Sequence, residues 1–480
     1  MDFEKSKRFL LKLAACYWAL VLIIYAAAYP QFRNEVVTSD VPGNDGIVGE
    51  VVDGLELRQK VMTEADRLDS VSILSGTYAR TNTGTIVLTL EDEAGQVLAS
   101  AETDISLFAD NVYTTIPLSE PLKGQAGRRL TLVISSRNCE PGNAVTFYTG
   151  SLWESTGQPV DETDFVRING EPGSDMLCVR LNGVRDLNFY IVYWFIVIGV
   201  FLIAALLCTI WWRQAMKGKN NPLVMVCTLA TRYQLLFRQL VSRDFKTKYK
   251  RSMLGMLWSF LNPLLTMGVQ YIVFSTLFKS DIANYPVYLM IGIVFFNFFS
   301  EAISMGMTSI TGNASLIKKV YLPKYIFPIS RVASSLINFG LALIPLFLIV
   351  LLTGVEIRPS ILLLIFDIIC LVVFITGMSL LLTTSMTFFQ DTQFLWGVIV
   401  MIWMYMTPIF YPESIIPEKL SAVYRLNPLY QYITFARICV IDGISPPPRM
   451  YLSCIVSSLV TLALGVMFFR RHQDRFILYL

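Results

Sequence analysis

With 480 residues, 54% of them apolar and only 16% charged, and a mean hydropathy of +0.54, the chain is too apolar for a soluble protein. Its runs of about twenty apolar residues predict a polytopic α-helical membrane protein. The net charge of +3 hides a partition, because residues 30–188 hold 24 Asp and Glu against 12 Lys and Arg and leave the remainder basic.

The first predicted span, 9–29, follows Lys5, Lys7 and Arg8. Its length and lack of a small-residue cleavage site favour a retained anchor over a cleaved signal peptide. Lys12 lies one turn inside and can snorkel.

Residues 30–188 form the acidic block. Short alternating runs such as Thr85–Leu90 and Arg129–Ile134, separated by turn residues with Glu93-Ala94-Gly95 at a hairpin tip, predict an inserted all-β, sandwich-like domain. Of eight cysteines only Cys139 and Cys178 fall in it. An oxidising compartment allows a disulfide between them, and two reduced thiols fit equally. Glu91-Asp92-Glu93 reads either as a cation site or as a solvated acidic tip.

A second span is expected at 189–212. Residues 213–255 then form a cytoplasmic linker containing an amphipathic helix, with Asn221 as cap and Pro222 in its first turn. Leu223, Val226, Ala230, Tyr233, Phe237 and Leu240 make its apolar stripe. Arg243, Asp244, Lys246, Lys248, Lys250 and Arg251 form its charged end. This helix is expected on the inner membrane surface against anionic lipid, the alternative being topogenic charge before a span. Nucleic acid is not an expected partner, because the basic run passes directly into a span.

Six further spans follow near 256–278, 287–310, 332–352, 361–388, 394–410 and 451–469, completing a six-span core within 256–480. The even total of about eight puts both ends on one side. Loops assigned to the cytoplasm carry 3, 10, 4 and 3 Lys and Arg, against one each in the short outer loops 279–286 and 354–359. The positive-inside rule then makes the β domain extracytoplasmic and the protein a multi-pass component of a cell membrane.

Chemistry motifs are few. The chain has no Gly-x-x-x-x-Gly-Lys-Ser/Thr loop, so ATP would bind another chain. With His472 as the single histidine and no paired His/Cys spacing, no metal centre or Ser-His-Asp set is expected. Glu301 and Asp367 are ionisable groups inside predicted spans, either functional or paired between helices. Tyr271, Phe274, Phe295, Phe299 and Tyr405 are candidates for an aromatic path along which a sugar chain slides, against ordinary helix packing.

The ordered set Arg243-Asp244, Lys248-Tyr249-Lys250, Leu254-Gly255-Met256-Leu257-Trp258 and Pro263 resembles the start of the ABC transporter permeases that export lipid-linked polysaccharides, including the O-antigen, capsule and teichoic-acid exporters. Ser315–Pro323 through Pro328, Phe389-Gln390-Asp391, Thr407–Pro412 and Leu426–Leu429 continue the resemblance in order, over about residues 222–475. Gln390 departs from it, since the family usually has Arg before the Asp.

The resemblance implies a permease without a nucleotide site of its own, working as a homodimer with two copies of an ABC ATPase that carries ATP and Mg. It implies a coupling helix in which Asn313 caps, Leu316 and Ile317 dock, and Lys318 and Lys319 orient, with Asp391 on the neighbouring inner loop. It also implies an outer re-entrant gate at Pro408, Tyr411, Pro412, Asn427 and Pro428. The leading span, β domain and second span lie outside the family core, and the β domain reads as a glycan-binding module, a spacer or an assembly platform. Competing functions are export of a smaller lipid or drug, a membrane enzyme of envelope glycan assembly, and a receptor.

Overall fold

The computed structural model describes residues 3–41, 45–150, 164–187, 189–218, 221–250, 254–278, 284–412, 424 and 426–480, with backbone alone for 152–153 and 158–159. The chain divides into two units, Pro30–Trp194 and a second made of Met1–Tyr29 with Phe195–Leu480.

The described strands of the first unit pair antiparallel throughout. Strands β1 (Asn34–Asp40), β2 (Gly46–Ile47), β3 (Glu56–Met62), β4 (Arg67–Gly76), β5 (Thr85–Glu91), β6 (Val97–Asp104), β7 (Val112–Lys123), β8 (Arg129–Arg137) and β9 (Thr146–Gly150) carry most of it. Short strands β10 (Leu152–Trp153), β11 (Gln158–Pro159), β12 (Arg167–Ile168), β13 (Glu171–Pro172) and β14 (Met176–Leu177) precede β15 (Val179–Asp186). One sheet runs β1-β15-β4-β9-β14, with β2 on β9 and β7 on β4; the other runs β13-β12-β3-β8-β5-β6; β10 and β11 pair alone. Alternation drives inward Val71, Ile73, Ile116, Phe147 and Leu181 of the first sheet, and Leu57, Ile86, Leu88, Leu132 and Ile134 of the second, into a single core.

The expected β5–β6 hairpin is present. Asp92 accepts from Ala94 N and Gln96 N, and Gly95 takes φ +79° at the tip. Glu91 meets Arg58 at 3.2 Å, so this acidic run is spent on a turn and an ion pair.

Cys139 and Cys178 are buried thiols and no disulfide joins them. The reason is topological: Cys139 follows β8 in one sheet, whereas Cys178 donates its N–H to Tyr148 O and accepts from Leu74 N in the other. Burial pushes the Cys178 thiol up to about 12.

In the second unit, seven described helices are long and apolar enough to cross a membrane. They are α1 (Phe3–Arg33), α2 (Phe189–Met216), and, after α3 (Pro222–Thr231) and α4 (Gln234–Tyr249), α5 (Trp258–Phe278) and α6 (Tyr285–Met307). Beyond α7 (Ala314–Lys319) come α8 (Ile326–Leu352) and α9 (Leu364–Phe388), and beyond α10 (Thr392–Tyr405) and α11 (Pro428–Arg437) comes α12 (Pro448–His472). The segment expected as a span over 394–410 differs: α10 has 14 residues, about 21 Å of helix, short of the roughly 30 Å apolar layer. It passes into non-helical backbone at 407–412.

Helices α1 and α2 meet through Tyr17, whose hydroxyl donates to Val197 O at 2.8 Å and whose ring stacks on Phe201. Helix α6 lies at the centre of the core, with almost every residue buried or half-buried. Small residues let α9 and α12 approach backbone to backbone: a Cβ on Gly465 would stand 2.3 Å from Gly377 O.

Candidate transport and coupling site

Asn221 caps α3 as expected, accepting from Val224 N at 3.0 Å. The amphipathic helix nevertheless breaks in two at Arg232-Tyr233, and its second half, α4, turns its inner face onto protein. Leu240, Asp244 and Lys248 repeat every four residues on that face. Leu240 enters an apolar core with Ile310, Ile317, Ile326, Phe327, Leu380, Phe469 and Phe476, joined by Tyr233, Phe237 and Leu316. The expectation of a helix lying on the membrane surface is therefore corrected for its second half, whose apolar face is covered by the chain itself.

Polar contacts extend the same face. The buried Asp244 accepts from Arg243 Nη2 at 2.9 Å and pairs with Arg331 Nε of α8 at 3.3 Å. Lys248 Nζ lies 2.8 Å from both carboxylate oxygens of Glu301 in α6. Asn338 Nδ2 of α8 donates to Glu301 Oε1 at 2.8 Å, so Glu301 is a junction of three helices. Asp244 is thus buried against protein and Lys248 reaches protein through its ammonium while staying partly exposed, whereas Lys246 and Lys250 are exposed. Arg251 lies outside the described residues.

Asn313 does not cap α7 with its side chain. It is buried, donates to Ser309 O at 2.8 Å and accepts from Arg243 Nη2 at 3.1 Å, tying α7 to α4. Ile317 packs inward, which removes it as a docking residue, and Leu316 is half-buried against the same core. The surface that α7 leaves open is Lys318, Lys319, Val320 and Tyr321, the last 98% exposed. The sequence signal for Tyr321 is an aromatic residue in a Pro-bounded loop beside two lysines. Asp391 is exposed at the start of α10.

On the proposed path, Phe295 and Phe299 are fully buried, against Phe339 and against Phe374, Trp396 and Trp403, and are core residues. Phe274 stacks on Phe410 at 5.4 Å, whereas Tyr271 and Tyr405 are exposed. Asp367 is fully buried in α9, with neither carboxylate oxygen hydrogen-bonded to a described residue.

The segment 407–412 needs satisfied carbonyls if it stands inside a membrane. Arg437, missed at the sequence level, provides much of this. Its Nη1 donates to Pro408 O at 2.8 Å, its Nη2 to Tyr288 O at 3.2 Å and Ile409 O at 3.3 Å, and its guanidinium lies 3.4 Å from the Tyr288 ring centre. Tyr285 donates to Phe410 O at 2.6 Å, and Tyr288 to Tyr411 O at 2.9 Å. Asn427 caps α11 through Leu429 N, accepts from Trp403 Nε1 at 2.7 Å and donates to Thr407 Oγ1 at 2.9 Å. Pro428 opens α11 at its first turn, and Pro412 ends the described segment. The signal for Arg437 was a lone charge in an apolar run.

A bundle of long apolar helices, a half-length helix with a side-chain-clasped return, and short charged helices locked to the spans define a multi-pass membrane protein. An ABC-2 type transporter family model matches residues 235–441. The O-antigen export system permease protein RfbA of Klebsiella pneumoniae is 32% identical over 257 residues, 52% of this chain and 98% of that protein. The Myxococcus xanthus protein of that name is 28% identical over 248 residues, covering 51% and 95%. The polysialic acid transport protein KpsM of Escherichia coli is 24% identical over 238 residues, covering 48% and 91%. The chain belongs to the ABC-2 type transporter family, among its polysaccharide export permeases. Residues 1–234, with α1, the β unit and α2, lie outside the matched family region.

Proposed function

We propose that this chain is the membrane subunit of an ATP-driven exporter that carries a lipid-linked polysaccharide from the cytoplasmic to the outer face of a bacterial cell membrane. It works as a homodimer with two copies of a separate ABC ATPase, which holds the ATP and Mg. Both termini are cytoplasmic and the β unit stands outside, where it receives the emerging polymer. The relatives named for O-antigen export and polysialic acid transport support a polysaccharide cargo.

The observation that carries the reading is the packing of α7. Ile317 sits in one core with the ends of α8, α9 and α12 and with α4, while Lys318, Lys319, Val320 and Tyr321 face outward. A push on the outward face reaches four helices through close-packed side chains, as a motor subunit requires. Lys246 and Lys250 meet anionic lipid headgroups. The test is depletion of the chain in its host: cytoplasmic lipid-linked glycan accumulates and an ATPase copurifies with the tagged permease. Unchanged glycan distribution on depletion contradicts the reading.

A further inference from the structure

Two cavities meet at the Lys248–Glu301 pair, which lines both. The first, about 510 Å³, lies between α5, α6 and α8, and falls within the roughly 300–1,000 Å³ of small-molecule sites. Asn262 and Asn297 open into it beside Trp258, which is 46% exposed. Neither carboxamide hydrogen-bonds to a described residue, and Asn297 is the one exposed residue of α6. The side chains around them are already committed: Asn338 holds Glu301 and accepts from Tyr249. Amides beside an indole face suit a ring that carries hydroxyls on its rim and C–H groups on its face.

The second cavity, about 590 Å³, is lined by Arg243, Arg331 and Lys248 against Asp244 and Glu301, an excess of one positive charge. Resting on the export reading above, we propose that the two cavities form one headgroup site, in which Arg243 and Arg331 take the phosphate of an amphiphilic carrier while Asn262, Asn297 and Trp258 take its first sugar ring. On the proposed topology the site lies in the cytoplasmic half of the spans, where such a cargo must be received. Lys248 stands where both parts of the ligand meet.

The test uses the full-length chain in lipid nanodiscs and a panel of short prenyl diphosphates, bare or bearing one hexose or N-acetylhexosamine. At least one sugar-bearing probe binds ten-fold or more tightly than the bare carrier. Asn262→Leu, an exposed change that spares the fold, and Asn297→Ser erase that preference, while Arg243→Gln weakens bare and sugar-bearing probes alike. Cavities that hold only water give equal affinities for all probes, and that result, or a preference retained in both Asn variants, overturns the site. Normal accumulation of cytoplasmic glycan on depletion, alongside such a negative result, leaves the export reading standing and removes this site alone.

Discussion

Lys248 Nζ sits 2.8 Å from each carboxylate oxygen of Glu301, joining residues 53 apart in sequence and fastening α4 to the central helix α6. With Asn338 on the same carboxylate, any movement of α4 is felt at once by α6 and α8. A pair placed there links the short charged helix to the long apolar ones.

Breaking this pair uncouples the two. Lys248→Met or Glu301→Gln lowers export about ten-fold while ATPase activity persists, and the exchange Lys248→Glu with Glu301→Lys recovers a large part. The side chains are 39% and 33% exposed, so a double-mutant cycle on thermal unfolding gives a modest coupling, about 0.5–1 kcal/mol. Equal export by all four proteins removes the mechanical role.

Arg437 is the keystone of the return at 407–412. Its loss strips hydrogen bonds from the carbonyls of Tyr288, Pro408 and Ile409, and although Pro408 O keeps the Tyr288 hydroxyl at 3.2 Å, an interior carbonyl left unpaired costs about 1–3 kcal/mol. Arg437→Met therefore lowers the melting temperature in detergent and reduces export. Arg437→Lys keeps the charge yet cannot span three carbonyls and stack on Tyr288, so it recovers little. Gly292→Ala acts on the same clasp, since its Cβ would stand 2.9 Å from Ile409 Cγ2. Melting temperatures unchanged in all three variants contradict the clasp.

Just past α7, Tyr321 makes no buried contact that a truncation would cost, being 98% exposed. Tyr321→Ala leaves thermal stability unchanged but reduces ATPase copurification and export at least ten-fold. Lys318→Glu with Lys319→Glu acts in the same direction. The comparison that decides is Ile317→Ala, which lowers stability by about 2–4 kcal/mol because Ile317 belongs to the permease's own core.

What the sequence makes legible follows from the range of the forces involved. Alternation in Thr85–Leu90 and Arg129–Ile134 places β5 and β8 because side-chain direction is local, with period two. The stripe ending at Leu240 likewise reveals a helix with an apolar face. Periodicity does not tell whether lipid or protein covers that face, and here the cover is α7 and the ends of three spans, from residues 70 to 236 positions away. Asn313 has the local look of a cap, but Arg243 takes its side-chain oxygen instead. Aromatic density around Phe295 and Phe299 announces large rings, and only the central position of α6 makes them core. Arg437 and Glu301 gain their meaning wholly from distant partners, so a single charge in an apolar run was their sole sequence trace.

The β unit carries its own acid sensitivity, set at one turn. Tyr78 and Ala79 both take positive φ, 57° and 55°, a conformation that costs non-glycine residues energy. Asp110 holds the turn, accepting from Thr77 N with one oxygen and from Ala79 N at 2.9 Å with the other. These bonds, that from the Thr77 N–H foremost, favour the carboxylate and lower its pKa below the ordinary value of 3.8. A group depressed on folding contributes stability that is fully present above its unfolded pKa, about 3.9, and is lost as pH falls through its folded pKa. Glu50, held by Gly142 N, and Asp104, held by Ser106 N, are lowered too and act with the same sign. Hydrogen exchange on the full-length protein therefore finds the amides of Thr77 and Ala79 protected from pH 7 down to about pH 4 and opening below it. In Asp110→Asn one strong acceptor is replaced by an amide donor facing Ala79 N, so the turn is already open at pH 7 and its protection no longer depends on pH. Wild-type amides that stay equally protected at pH 3 contradict this assignment.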